Sequence, residues 1–172
     1  MSRIDAIINH HLFISCMEKN LQKEKNREYC KHGLQHCLDV ARIAYILNLE
    51  SKLGLEKEII YAAALLHDIT RWKQYEDAEP HNESVIIPGK KILYDCGFND
   101  METNFISEAI CNHREPQSEK DSLSCILYYA DKKSRMCFVC LAKEKCYWSN
   151  NKKIIVYFTR PMANGEDYIY EK

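Results

Sequence analysis

Glycine and proline are scarce in this chain, five and four among 172 residues. With few residues that force turns, the chain has few places to interrupt helices, and it is neither collagen-like nor low-complexity. Long hydrophobic runs are also missing. Stretches such as 61–66 fall far short of the about 20 apolar residues that a membrane-spanning helix needs. No sign of charge dominates: 24 basic against 25 acidic residues give a net charge of −1. A balanced chain lacks the electrostatic footprint of a protein that binds long nucleic acid. The opening Met1-Ser2-Arg3-Ile4-Asp5 has no apolar core of a secretory signal, so a cytoplasmic location is expected, with no membrane partner.

What is present fits one folded domain of ordinary composition, with 46% hydrophobic and 28% charged residues. A chain of this length buries roughly 70% of its unfolded surface, enough for a core without staples. Cysteine is abundant, at nine residues. In a reducing compartment these are thiols rather than a disulfide framework, and an odd number cannot all pair within one chain. Metal binding is the reading of interest for some of them.

Apolar residues recur mostly at helical spacing. The pattern predicts a helix over about 2–21, a charged connection over 22–28, and helices over 29–50 and 56–69. Residues 71–81 read as a polar loop. A helix over 82–95 should be kinked by Pro88-Gly89. Asp100 is positioned to cap a helix ending near His113. Ser118 or Ser122 is positioned to start a last helix reaching about Met136. The segment 153–158 alone has strand composition, and one strand makes no sheet. The expected class is all-α, a bundle of about six helices with a short irregular C-terminal tail. Three parts are expected within one domain: an N-terminal helix in 1–28 packing on the bundle, a core in 29–136, and a cysteine-containing tail in 137–172.

The chemistry centres on His67-Asp68, at the end of the apolar stretch Tyr61-Ala62-Ala63-Ala64-Leu65-Leu66. Burying those two polar groups unpaired costs several kcal/mol, and one metal ion would satisfy both. Imidazole nitrogen with carboxylate oxygen suits Zn, Fe, Mn or Ni. A hydrogen-bonded helix cap is the plainer alternative. Further members of the set lie on or beside separate predicted helices: His36 in Gln35-His36-Cys37-Leu38-Asp39-Val40-Ala41, His81 after Pro80, His113 in Ile110-Cys111-Asn112-His113-Arg114, and Asp131 in Tyr129-Ala130-Asp131-Lys132.

The ordered set His, His-Asp, His, His, Asp over about residues 29–136 resembles the HD-domain superfamily of metal-dependent phosphohydrolases. The resemblance implies a helical bundle holding one or two divalent metals (Fe, Mn, Zn, Ni or Mg). In its terms His36, His67, Asp68 and Asp131 ligate a first ion. His81 and His113 add a second, with Asp68 bridging, and Asp68 and His67 are the catalytic pair. Two-metal relatives often carry His-His where this chain has His113-Arg114, which removes one ligand. No Gly-Tyr-Pro signature of cyclic-dinucleotide signalling enzymes occurs.

The implied function is hydrolysis of a nucleotide or another small phosphate ester by a metal-activated water. The substrate is then a small phosphorylated metabolite, and a homo-oligomer is compatible. Arg71, Lys73, Arg114, Lys132 and Arg135 are candidates to neutralise phosphate, with solvated surface charge as the alternative. A di-iron oxygenase on the same fold and a non-catalytic metal-stabilised sensor are the rival readings. His32 shares the i, i+4 spacing of a helix face with His36 and reads as a supporting or substrate-facing group, or as a merely buried or solvated one. Trp72, Tyr75, Tyr128 and Tyr129 are either base-stacking or core aromatics. Glu76 and Asp77 are either proton-transfer groups or solvated loop charges. His10 and His11 receive no role.

The tail adds Cys137-x2-Cys140-x5-Cys146. Cys30 precedes His36 by six residues and Cys137 follows Asp131 by six, each step roughly 9 Å along a helix. If the two helices run antiparallel, Cys30 meets Cys137, and Cys140 and Cys146 complete four thiolates for zinc or an iron–sulfur cluster. Thiols that merely pack are the alternative.

Overall fold

Short polar breaks divide the chain into nine α-helices among the described residues of this computed structural model, which are 2–78, 80–114, 122–150 and 153–154. They are α1 (Arg3–Ile8), α2 (His11–Lys23), α3 (Leu34–Glu50), α4 (Lys57–Leu66), α5 (Arg71–Glu76), α6 (His81–Ser84), α7 (Ile86–Asp95), α8 (Asp100–Asn112) and α9 (Leu123–Lys133). Two single-turn 3-10 helices, Cys137–Val139 and Lys143–Lys145, follow. No strand occurs among the described residues, and the chain forms one all-α domain. Most of the segment read as strand-like, 155–158, and the alternative start at Ser118 lie outside the described residues.

The core is built on α4. Its residues Ile59, Ile60, Ala62, Ala63, Ala64, Leu65 and Leu66 are all buried, so it is apolar on every side. Three consecutive alanines let neighbouring backbones approach closely, and α1, α3, α8 and α9 pack around it. Each fully buried leucine or isoleucine contributes about 1.5–3 kcal/mol relative to an exposed one. No helix among the described residues is long and apolar enough to cross a membrane.

Several boundaries differ from the sequence expectation, each for a local reason. The first helix is split at Asn9–His10. His10 takes an extended backbone (φ −72°, ψ 130°), and its imidazole accepts the Leu12 N–H at 3.2 Å, capping α2. The second helix starts at Leu34, after Gly33, not at residue 29. The polar stretch after His67-Asp68 is not all loop: 71–76 form α5. Pro88 occupies the third position of α7, where its missing N–H has no partner within that helix, and the helical run breaks in the turn before it, at Val85 between α6 and α7. Asn99, not Asp100, caps α8, reciprocally with Glu102. Gly97, at φ 84°, ends α7 with Phe98 N–H donating to Leu93 O and Gly97 N–H to Tyr94 O, both at 3.0 Å.

Candidate metal centre and cleft

Four helix termini converge at one end of the bundle. His36 lies in the first turn of α3, His67 and Asp68 follow the last residue of α4, His113 closes α8, and Asp131 lies in the last turn of α9. His81 opens the short α6 beside them. After Leu66 the chain leaves α-helical bonding: Ile69 N–H donates to Leu66 O at 3.2 Å and Arg71 N–H to Asp68 O at 3.0 Å. This tightened turn lets two adjacent side chains face one site. The buried Asn20 holds the turn, donating to Asp68 O at 2.9 Å and accepting Trp72 N–H at 2.8 Å.

The donor atoms of His36, His67, Asp68 and Asp131 all lie within 4.8 Å of one another, and those of Asp68, His81 and His113 do likewise. Within the first set, His36 Nε2 is 3.3 Å from Asp131 Oδ1, and His67 Nε2 is 3.2 Å from Asp68 Oδ2. In the second set His81 Nε2 is 3.0 Å from Asp68 Oδ1. Asp68 belongs to both.

The imidazoles are oriented by the nitrogens that face away. His67 Nδ1 donates to Ala64 O at 2.7 Å and His113 Nδ1 to Ile110 O at 2.5 Å. His81 Nδ1 donates to Gln74 Oε1 at 2.8 Å. Ser134 Oγ donates to Asp131 O at 2.8 Å and so accepts from His36 Nδ1 at 3.1 Å. Each ring thereby keeps an Nε2 lone pair toward the centre.

His36 Nε2, His67 Nε2 and Asp68 Oδ1 are buried without a hydrogen-bond partner. Each such group costs about 1–3 kcal/mol, more for a charged one, unless something satisfies it. A divalent cation does so, and the N/O donor set fits one. The electrostatics agree. Burial would raise the Asp68 carboxyl, but His67, His32 and His36 beside it hold it well below the usual carboxylate range. Burial is likewise outweighed at Asp131, chiefly by Arg135. Burial pushes His113 down to about 3 and His32 down to about 4, and lowers His81. At His67 burial is outweighed by Asp68 and Asp131, and its pKa is raised. Ionised carboxylates and mostly neutral imidazoles are the ligand-competent forms.

A cleft of about 230 Å³ opens above Asp68, Asp131, His81 and His113. Arg71, Arg114, Lys132 and Arg135, expected near phosphate, all line it. They are not equivalent. Arg135 is buried and donates to Asp131 Oδ1 at 2.6 Å, and Lys132 Nζ lies 2.5 Å from Asp131 Oδ2. These two hold a proposed ligand before they hold anything else. Arg71 Nη1 lies 2.9 and 3.0 Å from the His81 ring nitrogens and 3.8 Å from Asp68 Oδ1. Arg114 is exposed beside Asn82. Lys73 does not line the cleft; it lies 6.0 Å from the Trp72 ring.

The aromatics differ from expectation. Trp72, Tyr75, Tyr128 and Tyr129 do not line the cleft, whereas Tyr29, Tyr147 and Trp148 do. Trp72 instead receives Lys19 Nζ at 4.2 Å from its ring centroid. Neither Glu76, paired with Lys23 at 2.7 Å, nor the exposed Asp77 reaches the cleft.

His32 precedes α3, so it shares no helix face with His36. It nonetheless reaches the centre, with Nε2 3.9 Å from Asp68 Oδ2. Its backbone N–H donates to Glu24 Oε2 at 2.6 Å, and its Nδ1 bonds Glu24 Oε1. In sequence Glu24 belongs to the charged connection 22–28. It is 2% exposed and also accepts the Tyr75 hydroxyl at 2.6 Å. The signal that could have marked it is a lone carboxylate eight residues before a histidine, which is too weak to single out.

Cys30, Cys137, Cys140 and Cys146 also line this cleft. Their sulfurs are spread more widely than the His and Asp donors. Among the described residues only the two His/Asp sets bring all donor atoms within 4.8 Å.

Residues 33–136 match the family described as the HD domain. The chain is 42% identical over 153 residues to a protein of Clostridium beijerinckii described as an uncharacterized protein, covering 89% of this chain and 96% of that one. It also resembles the crystal structure of a predicted HD superfamily hydrolase from an uncultured Thermotogales bacterium. The TM-score is 0.61 at 23% identity, over 86% of this chain and 82% of that one, a likeness of fold.

Proposed function

Because this chain belongs to the HD-domain family, we propose that it is a metal-dependent phosphohydrolase acting on a nucleotide or a similar small phosphate ester. The observation that carries this reading is the shared Asp68, which joins two donor sets at the floor of a cleft whose walls are cationic. Divalent ions held there supply Lewis acidity and an activated water.

The chain's own residues do the rest. His36, His67, Asp68 and Asp131 form one ligand set, and Asp68, His81 and His113 the other. Arg114 is the wall cation best placed for phosphate oxygens, because Lys132 and Arg135 are engaged with Asp131 and Arg71 lies against His81 and Asp68. Arg27, Lys143 and Lys153 extend the positive lining. A cleft so rich in fixed positive charge favours an anionic ligand. Tyr29, Tyr147 and Trp148 in the same lining offer flat faces, the complement of a nucleobase. His32, neutral at pH 7 with Nε2 toward the cleft, is placed to accept or return a proton.

The test is phosphate release from a panel of nucleotides, dinucleoside polyphosphates and sugar phosphates, each with Fe, Mn, Zn, Ni or Mg. Turnover that disappears in Asp68→Ala is the expected result. Oxygen consumption by the iron-loaded protein, with no phosphate released from any compound, would overturn the reading.

A further inference from the structure

The segment from Cys137 to Trp148 forms one wall of the cleft, yet little holds it. It consists of two single-turn helices and buries only Cys137 and Ala142. Phe138, Val139, Leu141 and Tyr147 are exposed apolar side chains. Burial on this scale does not offset the entropy of fixing a dozen residues. The segment is nevertheless docked against the chain just before α3. The Tyr29 hydroxyl donates to Lys145 O at 3.3 Å, and Lys145 Nζ lies 3.9 Å from Glu28 Oε2.

Thiols gather at this junction. Cys137 and Cys140 are joined by a tight turn, Cys140 N–H donating to Cys137 O at 3.3 Å. A second turn ends at Cys146, whose N–H donates to Lys143 O at 3.4 Å. Cys30 reaches the same place from the other side. The first turn of α3 meets the last turn of α9 at His36 and Asp131, and the two helices pack along one another, so they run antiparallel. The chain before α3 and the chain after α9 therefore leave the bundle on the same side. Burial pushes the Cys30 thiol up and Arg135 draws it down, while Cys137, Cys140 and Cys146 are near enough to push it up further.

We propose that Cys30, Cys137, Cys140 and Cys146 bind a zinc ion in a tetrathiolate site distinct from the His and Asp donors. Cys-x2-Cys in a tight turn with two further thiols is ligand chemistry for zinc, and four sulfurs leave no open position, which marks a structural role. Each thiol releases its proton to solvent as its Zn–S bond forms. The resulting complex carries a net charge of minus two, and Arg135 and Lys143 line the cleft beside it. Closing the sulfurs onto one ion draws the two single-turn helices toward residue 30. It fixes Tyr147 and Trp148 against Tyr29 and provides the stability that burial does not.

The experiment is cobalt(II) titration of the full-length, metal-stripped chain, because only thiolate ligands give intense sulfur-to-cobalt charge-transfer absorption. The proposal expects that absorption at one equivalent in the unsubstituted chain and in Asp68→Ala. It also expects zinc to bleach it, and Cys30→Ser and Cys140→Ser to lose it. In the Asp68→Ala background, where the His and Asp donors lose their ions, zinc should raise the melting temperature, and adding either serine substitution should remove that rise. No charge-transfer absorption at saturation, or absorption unchanged in both serine variants, overturns the site. Iron with acid-labile sulfide on these cysteines in the purified protein overturns the zinc assignment. None of these signals depends on hydrolysis or on the His and Asp donors, so the phosphohydrolase reading fails or stands separately.

Discussion

His81 Nε2 stands 3.0 Å from Oδ1 of Asp68, while the other oxygen of that carboxylate faces His67 and His36. The carboxylate is thus divided between two donor sets, and removing either partner has a different consequence. Asp68→Ala should abolish binding of both active-site ions and lower kcat/KM by roughly 10³-fold or more, the equivalent of several kcal/mol of lost charge stabilisation. His81→Ala should remove only one ion. Metal content per chain, measured with the thiols blocked, checks this. Equal losses in the two variants would contradict the division.

Ser134 does not touch the centre, yet it holds His36 through Nδ1. Ser134→Ala frees that ring to rotate and should weaken first-site metal binding about 10–100-fold, the usual cost of removing a partner behind a ligand. Competition against a chromophoric chelator reads this directly, and the fold should be unaffected by circular dichroism.

Arg135 is buried against Asp131. In metal-free protein, Arg135→Leu leaves a carboxylate with less compensation and should cost about 3–5 kcal/mol. A bound cation compensates the same charge, so the penalty should shrink when metal is present. Urea unfolding with and without chelator gives the two values. Equal penalties would mean that Asp131 is not shared with an ion.

Tyr75 provides a pH signature away from the proposed ligands. Burial, and then the Glu24 carboxylate that its hydroxyl bonds, push its pKa up to about 12 from an ordinary 10. A raised folded-state pKa means that the neutral form is favoured by folding. The contribution is complete below pH 10 and is lost as pH rises through 12. Its size is on the order of 2–3 kcal/mol at most, less what solvent screens at a half-buried group. Tyr75→Phe should flatten that part of the stability curve between pH 10 and 12, and tyrosinate absorbance should follow the same transition.

The parts of the site legible in sequence are those where polar chemistry interrupts an apolar pattern. His67 and Asp68 stand out because they end a helix that is apolar from Ile59 onward. His113 and Asp131 gain meaning from their order in the chain. What stayed hidden depends on contacts that no spacing encodes. Glu24 is ordinary charge until folding brings His32 and Tyr75 onto it. His10 breaks the first helix because its own side chain caps the next one. The helix at 71–76 lacks an apolar stripe, so periodicity cannot find it. Proximity in sequence to the ligands points to Trp72 and Tyr128 as cleft aromatics, but Tyr29 and Trp148, which precede and follow the ligand-bearing stretch, line the cleft instead.

That last placement carries a consequence for how such a protein can diversify. The stretch matching the family, 33–136, contains every His and Asp donor of both sets. Arg27, Tyr29, Cys30 and His32 lie before it, and Cys140, Lys143, Tyr147 and Trp148 after it, and these form much of the cleft wall. On the proposed function, reactivity and discrimination are therefore encoded in separable tracts. The interior tract can stay fixed while the two flanking tracts drift, or are exchanged together as a pair. Chimeras that keep 33–136 and trade both flanks would inherit the reaction of one parent and the appetite of the other.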